Sequence, residues 1–556
     1  MFLALSIIIG ILAGLAAVLF SLAIDTADYA LFGLAPSSLR TFFVPVLVSL
    51  GTGVLLSTVF RGVRGSGVPQ TKAAFHLQGG VIPARVPVGK FITAVLCIGS
   101  GHSMGREGPS VQIGAGIASV IGGWLRLSPA RVKELVPVGA AGALAAAFNT
   151  PIAAVLFALE EIIGDMNATL LGSTVVASVA AVVVQRSILG NEPLFRVPEY
   201  ALVHPAELIG YAILGVVGGV MSLAFCKALL ALRGVFQRMP MWTVMLQPAM
   251  GGVVIGAVLL FVPEIKGVGY EYVDQALNGG LLVRTMLLLC VVKLAATVVS
   301  YCSGNAGGIF APSLYIGAMA GGVIGTIVNH LALFPTGDPG AYALVGMGAL
   351  FAGIIRAPLT SVFMIFEITQ DYQNLEPLMV ANMLSFVISR RYQPIPIYEA
   401  LLQQDQIHLP SVALRGSVGW TARDVMNAEA RFLAADQSVD AARETMREEG
   451  RPAYLVGTSE GMLGVVTLEQ LDGALASGRG EDTVGSIVDD VFIHVHPDHS
   501  LDTVLARLAR SAGLLPVVSR LALRRVEGVI TVDDITRFAK QGKTRRAPDE
   551  FGGANA

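Results

Sequence analysis

Apolar segments in the first 400 residues are repeatedly broken by glycine and proline, and this pattern limits what the chain can fold into. The run from Phe2 to Ile24 carries no charge and is long enough to cross a bilayer. Other apolar segments are shorter and are interrupted at GSGVP (65–69), GREGP (105–109) and GGIFAP (307–312). Non-helical backbone is tolerated at membrane depth only where protein or water satisfies its polar groups. The pattern therefore predicts half-helices that meet inside a membrane protein.

Composition supports this prediction and divides the chain. The sequence is 54% hydrophobic and 14% charged, whereas soluble domains contain about 25% charged residues. Beyond residue 400 the composition becomes that of an ordinary soluble domain. No cleavable signal is expected, because the first apolar run is too long and lacks a basic start. The predicted parts are a membrane domain (1–408), a linker (409–420), a soluble domain (421–538) and a disordered tail (539–556).

The interrupted segments occur twice in the same order. A shift of 203 residues aligns 105–122 with 308–325, and nine of the eighteen aligned residues are identical. Further along, Glu160 aligns with Glu367. Interrupted segments at matching places in two halves indicate a transporter whose binding site lies near the middle of the bilayer. The predicted halves are 1–195 and 205–400.

The ends of these broken helices favour anions. A half-helix N-terminus offers unpaired amide hydrogens and the positive end of the helix dipole. Glycine allows close approach to the backbone, and proline suits a first helical turn. Partial charges of this kind bind an ion weakly enough for release. Arg106 and Glu107 stand within one such segment, and charged residues in a membrane are functional candidates by default.

These motifs resemble a known family. GSGVP, GREGP, GGIFAP and Tyr398 in QPIPIYEALL are similar, in order, to the four anion-pathway motifs of the CLC chloride channels and chloride/proton antiporters. The resemblance covers residues 1–408, and the tail resembles tandem CBS domains. It implies an all-α multi-pass membrane domain, built as an inverted repeat of broken, tilted helices, followed by an α/β CBS-pair domain. It also implies a homodimer with one pore per subunit. Because Met1 lies almost at the first span, the cytoplasmic helix that precedes this span in the family is expected to be missing or not included in this sequence.

The resemblance implies a central anion site. Ser66 and Tyr398 would donate their hydroxyls, and the backbone amides of Ile309 and Phe310 would complete the site. Taken alone, Ser66 could be a helix N-cap and Tyr398 an interfacial aromatic anchor. Serine rather than proline at position 66 resembles members that handle chloride and argues against nitrate preference.

Two acidic residues are expected to control transport. The Glu107 carboxylate would occupy the anion site in place of chloride, and its protonation would empty that site. Glu107 is thus predicted to be the gate and the external proton carrier. Glu161 aligns with Ile368 in the repeat and is therefore an extra carboxylate, at a position where antiporters of the family have glutamate. The alternative for Glu161 is a solvated carboxylate at the membrane surface.

Two basic residues are expected to make the pore electropositive. Arg106 would act at the pore entrance, and a plain salt bridge is its alternative role. Lys90 resembles a family lysine near the pore, and its alternative is a side chain that snorkels to the interface.

The predicted function is chloride/proton antiport across a membrane, with chloride, protons and lipid as partners and no nucleic acid. The resemblance suggests the bacterial inner membrane, with the CBS domains in the cytoplasm. A passive chloride channel of the same family remains open. GHSMG (101–105) also fits G-x-S-x-G, so Ser103 could be the nucleophile of an intramembrane hydrolase, although no acid/histidine set stands out. In a further alternative, the soluble domain is the main functional part and senses a nucleotide.

The soluble part contains its own repeat, 421–475 and 483–538. Each half reads as a helix, a strand, a second helix, two strands and a closing helix, and each resembles one CBS motif. Such pairs can bind adenine nucleotides through a threonine and an acid three residues later. Thr531 and Asp534 fit, whereas Thr467 is followed by Gln470. No other cofactor is expected, and no metal: the His494, His496 and His499 cluster is predicted to be solvated surface. The four cysteines are expected to be buried thiols.

Overall fold

The chain forms two compact units, Met1–Ile407 and His408–Ala556. The predicted linker lies outside the described residues except at 409 and 420, and the predicted disordered tail lies outside them beyond 541. The structure, a computed structural model, describes residues 2–34, 36–164, 168–198, 200, 202–332, 335–370, 374–407, 409, 420–489 and 492–541.

The first unit is helical, and short helices occur among its long ones. Within the residues that the structure describes, six of its helices are long and apolar enough, by length and composition, to cross a membrane. The helix that ends at Phe157 continues as a π-helical turn, Ala158–Ile163, and short 3-10 turns cover Met241–Met245 and Pro263–Ile265. The helices are α1 (Phe2–Phe32), α2 (Ser38–Thr58), α3 (Val68–Leu77), α4 (Arg85–Gly99), α5 (Glu107–Trp124), α6 (Pro129–Phe148), α7 (Pro151–Phe157), α8 (Ala168–Leu189), α9 (Glu207–Gln237), α10 (Gln247–Leu259), α11 (Tyr270–Leu277), α12 (Val283–Cys302), α13 (Phe310–Leu331), α14 (Pro339–Ile355), α15 (Pro358–Thr369), α16 (Leu375–Tyr392) and α17 (Ile397–Gln404).

The order of elements in α1 to α8 is repeated in α9 to α16, so that each short helix of the first half has a short counterpart in the second. The short helices α3, α7, α11 and α15 contain 10, 7, 8 and 12 residues, too few to cross a bilayer. Gly105 and Gly308, equivalent in the two halves, exchange hydrogen bonds at 2.8 Å in both directions. A reciprocal contact between equivalent residues is the signature of a local twofold axis. The two halves therefore meet at these glycines.

Close helix packing also repeats in the two halves. A Cβ atom on Gly114 of α5 would lie 2.2 Å from the carbonyl oxygen of Gly139 in α6. In the second half, a Cβ atom on Gly317 of α13 would lie 2.3 Å from the carbonyl oxygen of Gly346 in α14. Small residues let membrane helices approach to backbone contact. This contact fixes α5 and α13, whose first turns carry the candidate site.

The second unit contains two α/β motifs. In the first, β1 (Phe432–Leu433) pairs parallel with β2 (Ala453–Gly457), and β2 pairs antiparallel with β3 (Met462–Thr467). In the second, β4 (Leu514–Val518) pairs antiparallel with β5 (Val526–Thr531). The strand predicted near the start of the second motif is reduced to one parallel bridge between Val495 and Val517, because Pro497 lacks the amide hydrogen that a longer ladder would need. The elements are α18 (Ala422–Val425), β1 (Phe432–Leu433), α19 (Val439–Glu448), β2 (Ala453–Gly457), β3 (Met462–Thr467), α20 (Leu468–Ala476), a 3-10 turn (Val484–Ser486), α21 (Leu501–Leu508), β4 (Leu514–Val518), β5 (Val526–Thr531) and α22 (Val532–Gln541).

Candidate ion pathway

The three interrupted segments meet in the interior of the first unit. The amide of Gly307 donates to the carbonyl oxygen of Gly65 at 3.2 Å, which joins GGIFAP to GSGVP. Gly108 of GREGP lies against Ser66, since a Cβ atom at Gly108 would be 2.3 Å from the Ser66 hydroxyl oxygen. Segments that are far apart in the chain thus come together at one candidate site.

Glu107 is fully buried at the first residue of α5. Its Oε1 accepts a hydrogen bond from the Tyr270 hydroxyl at 2.6 Å, and its Oε2 accepts one from the backbone amide of Ala311 at 3.3 Å. Ala311 belongs to the first turn of α13. An anionic side chain therefore lies at the helix end that the sequence predicts to bind anions.

Ile309 and Phe310 form the start of α13 and are buried. Among the residues that the structure describes, their backbone amides have no hydrogen-bond acceptor, as expected for a first helical turn. The Phe310 ring packs between Phe148 and Phe351, with ring centroids 5.3 and 4.4 Å away. The ring is thus held in the core while the amides of this turn remain available.

Ser66 and Tyr398 are both fully buried. Their hydroxyls lie near each other, yet neither makes a hydrogen bond of normal geometry within the described ranges. The N-cap of α3 is Gly67, so Ser66 is not the N-cap. Burial of Tyr398 likewise excludes an interfacial anchor. A buried hydroxyl without a partner is costly, so two of them side by side suit a polar ligand.

The two predicted basic residues, Lys90 and Arg106, lie beside the candidate site. The Lys90 ammonium group is buried and donates to the carbonyl oxygens of Val63 and Gly65 at 2.6 and 2.8 Å. It is not snorkelling to the surface. The Arg106 guanidinium lies over the Tyr270 ring, 5.5 Å from its centroid, and is close enough to interact electrostatically with Glu107.

Glu161 is buried rather than solvated at the membrane surface. Its carboxylate pairs with Lys72 at 2.8 Å, and Lys72 also contacts Glu399 at 3.1 Å. Tyr398, next to Glu399 in the chain, is within electrostatic reach of Glu161. Lys72 and Glu399 are not among the residues predicted from the sequence, although a charge in the membrane part is a signal that could have identified them.

Two cavities approach the site. One, of about 760 Å³, is lined by Arg106 and Tyr270, which both adjoin Glu107. The other, of about 630 Å³, is lined by Gly65 and Tyr301, beside Ser66. Neighbours of Glu107 thus line one cavity, and neighbours of Ser66 line the other.

Ser103 lies between α4 and α5 rather than on a strand-to-helix turn. Its hydroxyl pairs with the Thr297 hydroxyl at 2.9 Å. The neighbouring His102 is engaged by Ser49 and Ser300. This arrangement lacks the strand–turn–helix geometry that a G-x-S-x-G nucleophile requires.

In the second unit, Thr531 and Asp534 bond each other at the start of α22. The Thr531 amide donates to the Asp534 carboxylate at 2.9 Å, and the Asp534 amide donates to the Thr531 hydroxyl at 3.3 Å. Thr467 and Gln470 make the same exchange at α20. Both pairs are capping boxes, so the pattern has a structural role in each motif.

The three histidines of the predicted cluster lie next to one another, and the cysteines are free thiols. The His496 ring lies 5.3 Å from that of His494 and 5.0 Å from that of His499. Within the part of the chain that the structure describes, no three histidine, cysteine, aspartate or glutamate side chains are placed so that they could hold a metal ion together. The four cysteines are free and buried, as predicted.

Comparison with known proteins identifies the family. The profile described as "Voltage gated chloride channel" matches residues 46–390, and the CBS domain profile matches 422–477 and 484–540. These matches and the helical first unit confirm the predicted fold class.

Individual relatives agree with the profiles. An H(+)/Cl(-) exchange transporter, ClcA, of Vibrio cholerae is 31% identical over 72% of this chain and 88% of its own length. Chloride channel protein CLC-e of Arabidopsis thaliana is 33% identical over 63% of this chain and 52% of its own length. The crystal structure of a slow cyanobacterial Cl-/H+ antiporter matches with a TM-score of 0.67 and 28% identity, covering 73% of this chain and 97% of that one. The chain is thus a multi-pass membrane protein that belongs to the voltage-gated chloride channel (CLC) family of chloride transport proteins, which are not enzymes, and it carries a C-terminal pair of CBS domains.

Proposed function

We propose that this protein is a chloride/proton antiporter in which Glu107 gates the anion pathway. The observation that carries the proposal is the hydrogen bond from the Ala311 amide, in the first turn of α13, to the Glu107 carboxylate. A carboxylate that occupies an anion-binding helix end excludes chloride while it is charged. When it takes up a proton, it no longer competes, and chloride binds in its place. Proton uptake and chloride entry then involve the same position.

Chloride would be held by the Ser66 and Tyr398 hydroxyls and the amides of Ile309 and Phe310. All four donors are neutral, and neutral donors bind an ion weakly enough to let it leave. The buried hydroxyls without partners in the described part of the chain support this assignment. Lys90 and Arg106 would raise the electrostatic potential along the path without contacting the ion.

Protons need a second titratable group on the other side of the anion site, because hydroxyls and amides do not carry them at neutral pH. Glu161 would supply it. Its burial and its pairing with Lys72 support a role inside the protein rather than at the membrane surface. Tyr398 is within electrostatic reach of both Glu107 and Glu161, so the proposed proton and chloride routes adjoin at this tyrosine.

The relatives' names support both antiport and passive chloride conduction. The Vibrio cholerae protein is named an exchange transporter and the Arabidopsis thaliana protein a channel. Glu161 favours the antiporter here. A passive chloride channel is the second candidate, and it predicts chloride flux without proton movement.

The test uses purified protein in liposomes with the membrane potential held at zero by potassium and valinomycin, and no proton ionophore. A chloride gradient should drive uphill proton movement in the wild type. Chloride flux without proton movement would identify a channel, and absence of chloride flux would overturn both candidates.

Variants assign the two carboxylates. Glu107→Gln imitates the protonated gate, so it should conduct chloride with proton movement reduced at least about tenfold. Glu161→Ala should also lose proton movement and keep chloride flux. Glu192→Gln is the matched control, because this carboxylate pairs with Arg196 at the exposed surface and should leave both fluxes unchanged. Retained proton coupling in Glu107→Gln would contradict the gating role.

The remaining features are further parts of the proposal. The protein would be a homodimer with a pore in each subunit, placed in a bacterial inner membrane with its CBS pair in the cytoplasm.

Thr531 and Asp534 would contact an adenine nucleotide. ATP binding to the full-length protein by isothermal titration calorimetry tests this, and Thr531→Val should abolish it, whereas Thr467→Val should not.

A further inference from the structure

Tyr270 contacts the proposed gate from the half of the repeat opposite to Glu107. It is the first residue of α11 and is equivalent to Val68, the first residue of α3. Its hydroxyl donates to Oε1 of Glu107 at 2.6 Å, while Oε2 accepts from the Ala311 amide. The two carboxylate oxygens are therefore held by two different helices.

The Tyr270 ring is itself held in place. Phe195 packs against it edge to face, with centroids 5.6 Å apart and an interplanar angle of 87°. The Arg106 guanidinium lies over the ring at 5.5 Å, a distance at which cation–π attraction acts. The phenol also lines the cavity of about 760 Å³ beside Glu107. A fixed donor thus faces Glu107 at the end of this cavity.

We propose that Tyr270 is a positioning residue that holds the charged Glu107 carboxylate on the α13 N-terminus and so sets how often the pathway opens. This inference rests on the proposed function of Glu107. The phenol donates to the carboxylate, and a hydrogen bond to a charged group shifts an equilibrium by roughly tenfold or more. Its loss leaves the carboxylate held by the amide alone, so protonation and departure of Glu107 become easier.

The surroundings of Glu107 limit which other groups could produce such an effect. Among the described side chains, the charged and titratable groups that interact electrostatically with Glu107 include Arg106 beside it, Tyr270 of α11 and Tyr398 of α17. Arg106 lies over the Tyr270 ring and makes no direct hydrogen bond to Glu107 in the structure. Among the side chains that the structure describes, Tyr270 supplies the hydrogen bond to Glu107.

The experiment measures chloride flux against pH for full-length protein in liposomes. Tyr270→Phe keeps the ring, the Phe195 contact and the Arg106 contact, and removes only the hydroxyl. We expect chloride flux at neutral pH to rise about threefold to tenfold, and the pH of half-maximal flux to move up by about one unit, because the charged gate loses a donor. Tyr272→Phe, in the same helix and away from Glu107, is the control and should behave as the wild type.

A second background separates positioning from a general structural role. In Glu107→Gln there is no charged carboxylate to hold, so adding Tyr270→Phe should leave flux and its pH profile unchanged. An equal change in both backgrounds would overturn the inference, as would a Tyr270→Phe profile that coincides with that of an active wild type. Absence of chloride flux in the wild type would instead overturn the proposed function, and this inference with it.

Discussion

The two halves of the membrane unit use the same contacts to build the scaffold. In the first half, Lys90 donates to two loop carbonyl oxygens just before α3, at 2.6 and 2.8 Å. In the second half, Lys293 donates to the carbonyl oxygens of Ile265 and Gly267, just before α11, at 2.9 and 2.8 Å. Each lysine thus satisfies a buried loop where a helix is broken.

Glu160 and Glu367, which are equivalent in the two halves, each bind the N-terminus of a helix in the other half. Glu160 accepts hydrogen bonds from amides in the first turn of α15, and Glu367 accepts them from amides in the first turn of α7, at 2.8 to 3.3 Å. Each carboxylate lies where a helix dipole favours negative charge. The two aligned glutamates thus share a structural role.

The halves differ where ions would be handled. Ser66 in the first half is matched by Val268 in the second. Glu107 is matched by Phe310, and Glu161 by Ile368. Contacts that keep broken helices together therefore occur twice, whereas the candidate transport side chains Ser66, Glu107 and Glu161 each occur once. The duplicated fold supplies a scaffold, and its departures from symmetry supply the chemistry.

The largest stability effect should come from an unmatched contact, the buried cluster around Lys72. Lys72→Met leaves the Glu161 and Glu399 carboxylates without their shared cation. Removing one partner of a buried ion pair costs about 3–5 kcal/mol. We expect a large fall in the unfolding midpoint in detergent, and the double variant Lys72→Met/Glu161→Gln should recover part of it. Wild-type stability in Lys72→Met would contradict the ion pairing.

The matched lysines test whether the scaffold is equivalent in the two halves. Lys90→Met removes the donor of the buried Val63 carbonyl oxygen, whereas the Gly65 carbonyl oxygen keeps the hydrogen bond from Gly307. Lys293→Met removes the donor of both the Ile265 and the Gly267 carbonyl oxygens. Each buried carbonyl oxygen that loses its donor costs about 1–3 kcal/mol. Both variants should lose stability in chemical unfolding, and Lys293→Met should lose more than Lys90→Met. Chloride turnover should fall more in Lys90→Met, because its ammonium group bonds the residue next to Ser66. Equal turnover in the two variants would reduce Lys90 to a scaffold residue.

The paired caps should contribute less. Glu160→Ala and Glu367→Ala each remove charge-assisted hydrogen bonds to a helix end, worth roughly 1.5–3 kcal/mol. The unfolding midpoints should fall by similar amounts, and proton coupling per chloride should be retained in both. Loss of coupling in Glu160→Ala but not in Glu367→Ala would show that the symmetry does not extend to function.

The smallest effect concerns the other repeat, the CBS pair, whose second motif holds His499. Partial burial and the nearby Arg507, His496 and Arg520 hold the pKa of the His499 imidazole below its ordinary value of 6.5, against an opposing effect of Asp498. The unfolded chain therefore binds a proton more readily, and the second motif should lose stability as pH falls below about 6.5.

Hydrogen–deuterium exchange of the full-length protein measures this, after correction for intrinsic exchange rates. Protection should fall in the second motif, and not in the first, between pH 7.5 and 5.5. His499→Gln should reduce the difference. Asp498 acts in a lower range, because the hydrogen bond from Arg520 holds the pKa of its carboxyl at about 2, so its contribution disappears between about pH 4 and 2. Equal loss of protection in both motifs would exclude His499 as the cause.

Local sequence patterns predicted the scaffold well. Uncharged apolar runs specify membrane helices, and glycine and proline mark where those helices break. The repeat was visible because equivalent positions such as Gly105 and Gly308 need the same small residue to reach backbone contact. The α/β order of the CBS motifs followed in the same way, except for the strand that is reduced to the bridge at Val495.

The sequence by itself determined the membrane unit, its duplication, the helix ends that favour anions and the presence of Glu107 and Glu161. Tertiary structure decided what those carboxylates touch: Glu107 meets Tyr270, 163 residues away, and Glu161 meets Lys72, 89 residues away. Periodicity and motif spacing report the local conformation of the chain. Which distant groups share a buried position depends on how all the helices pack, because a buried charge is stable only where the complete fold brings partners to it.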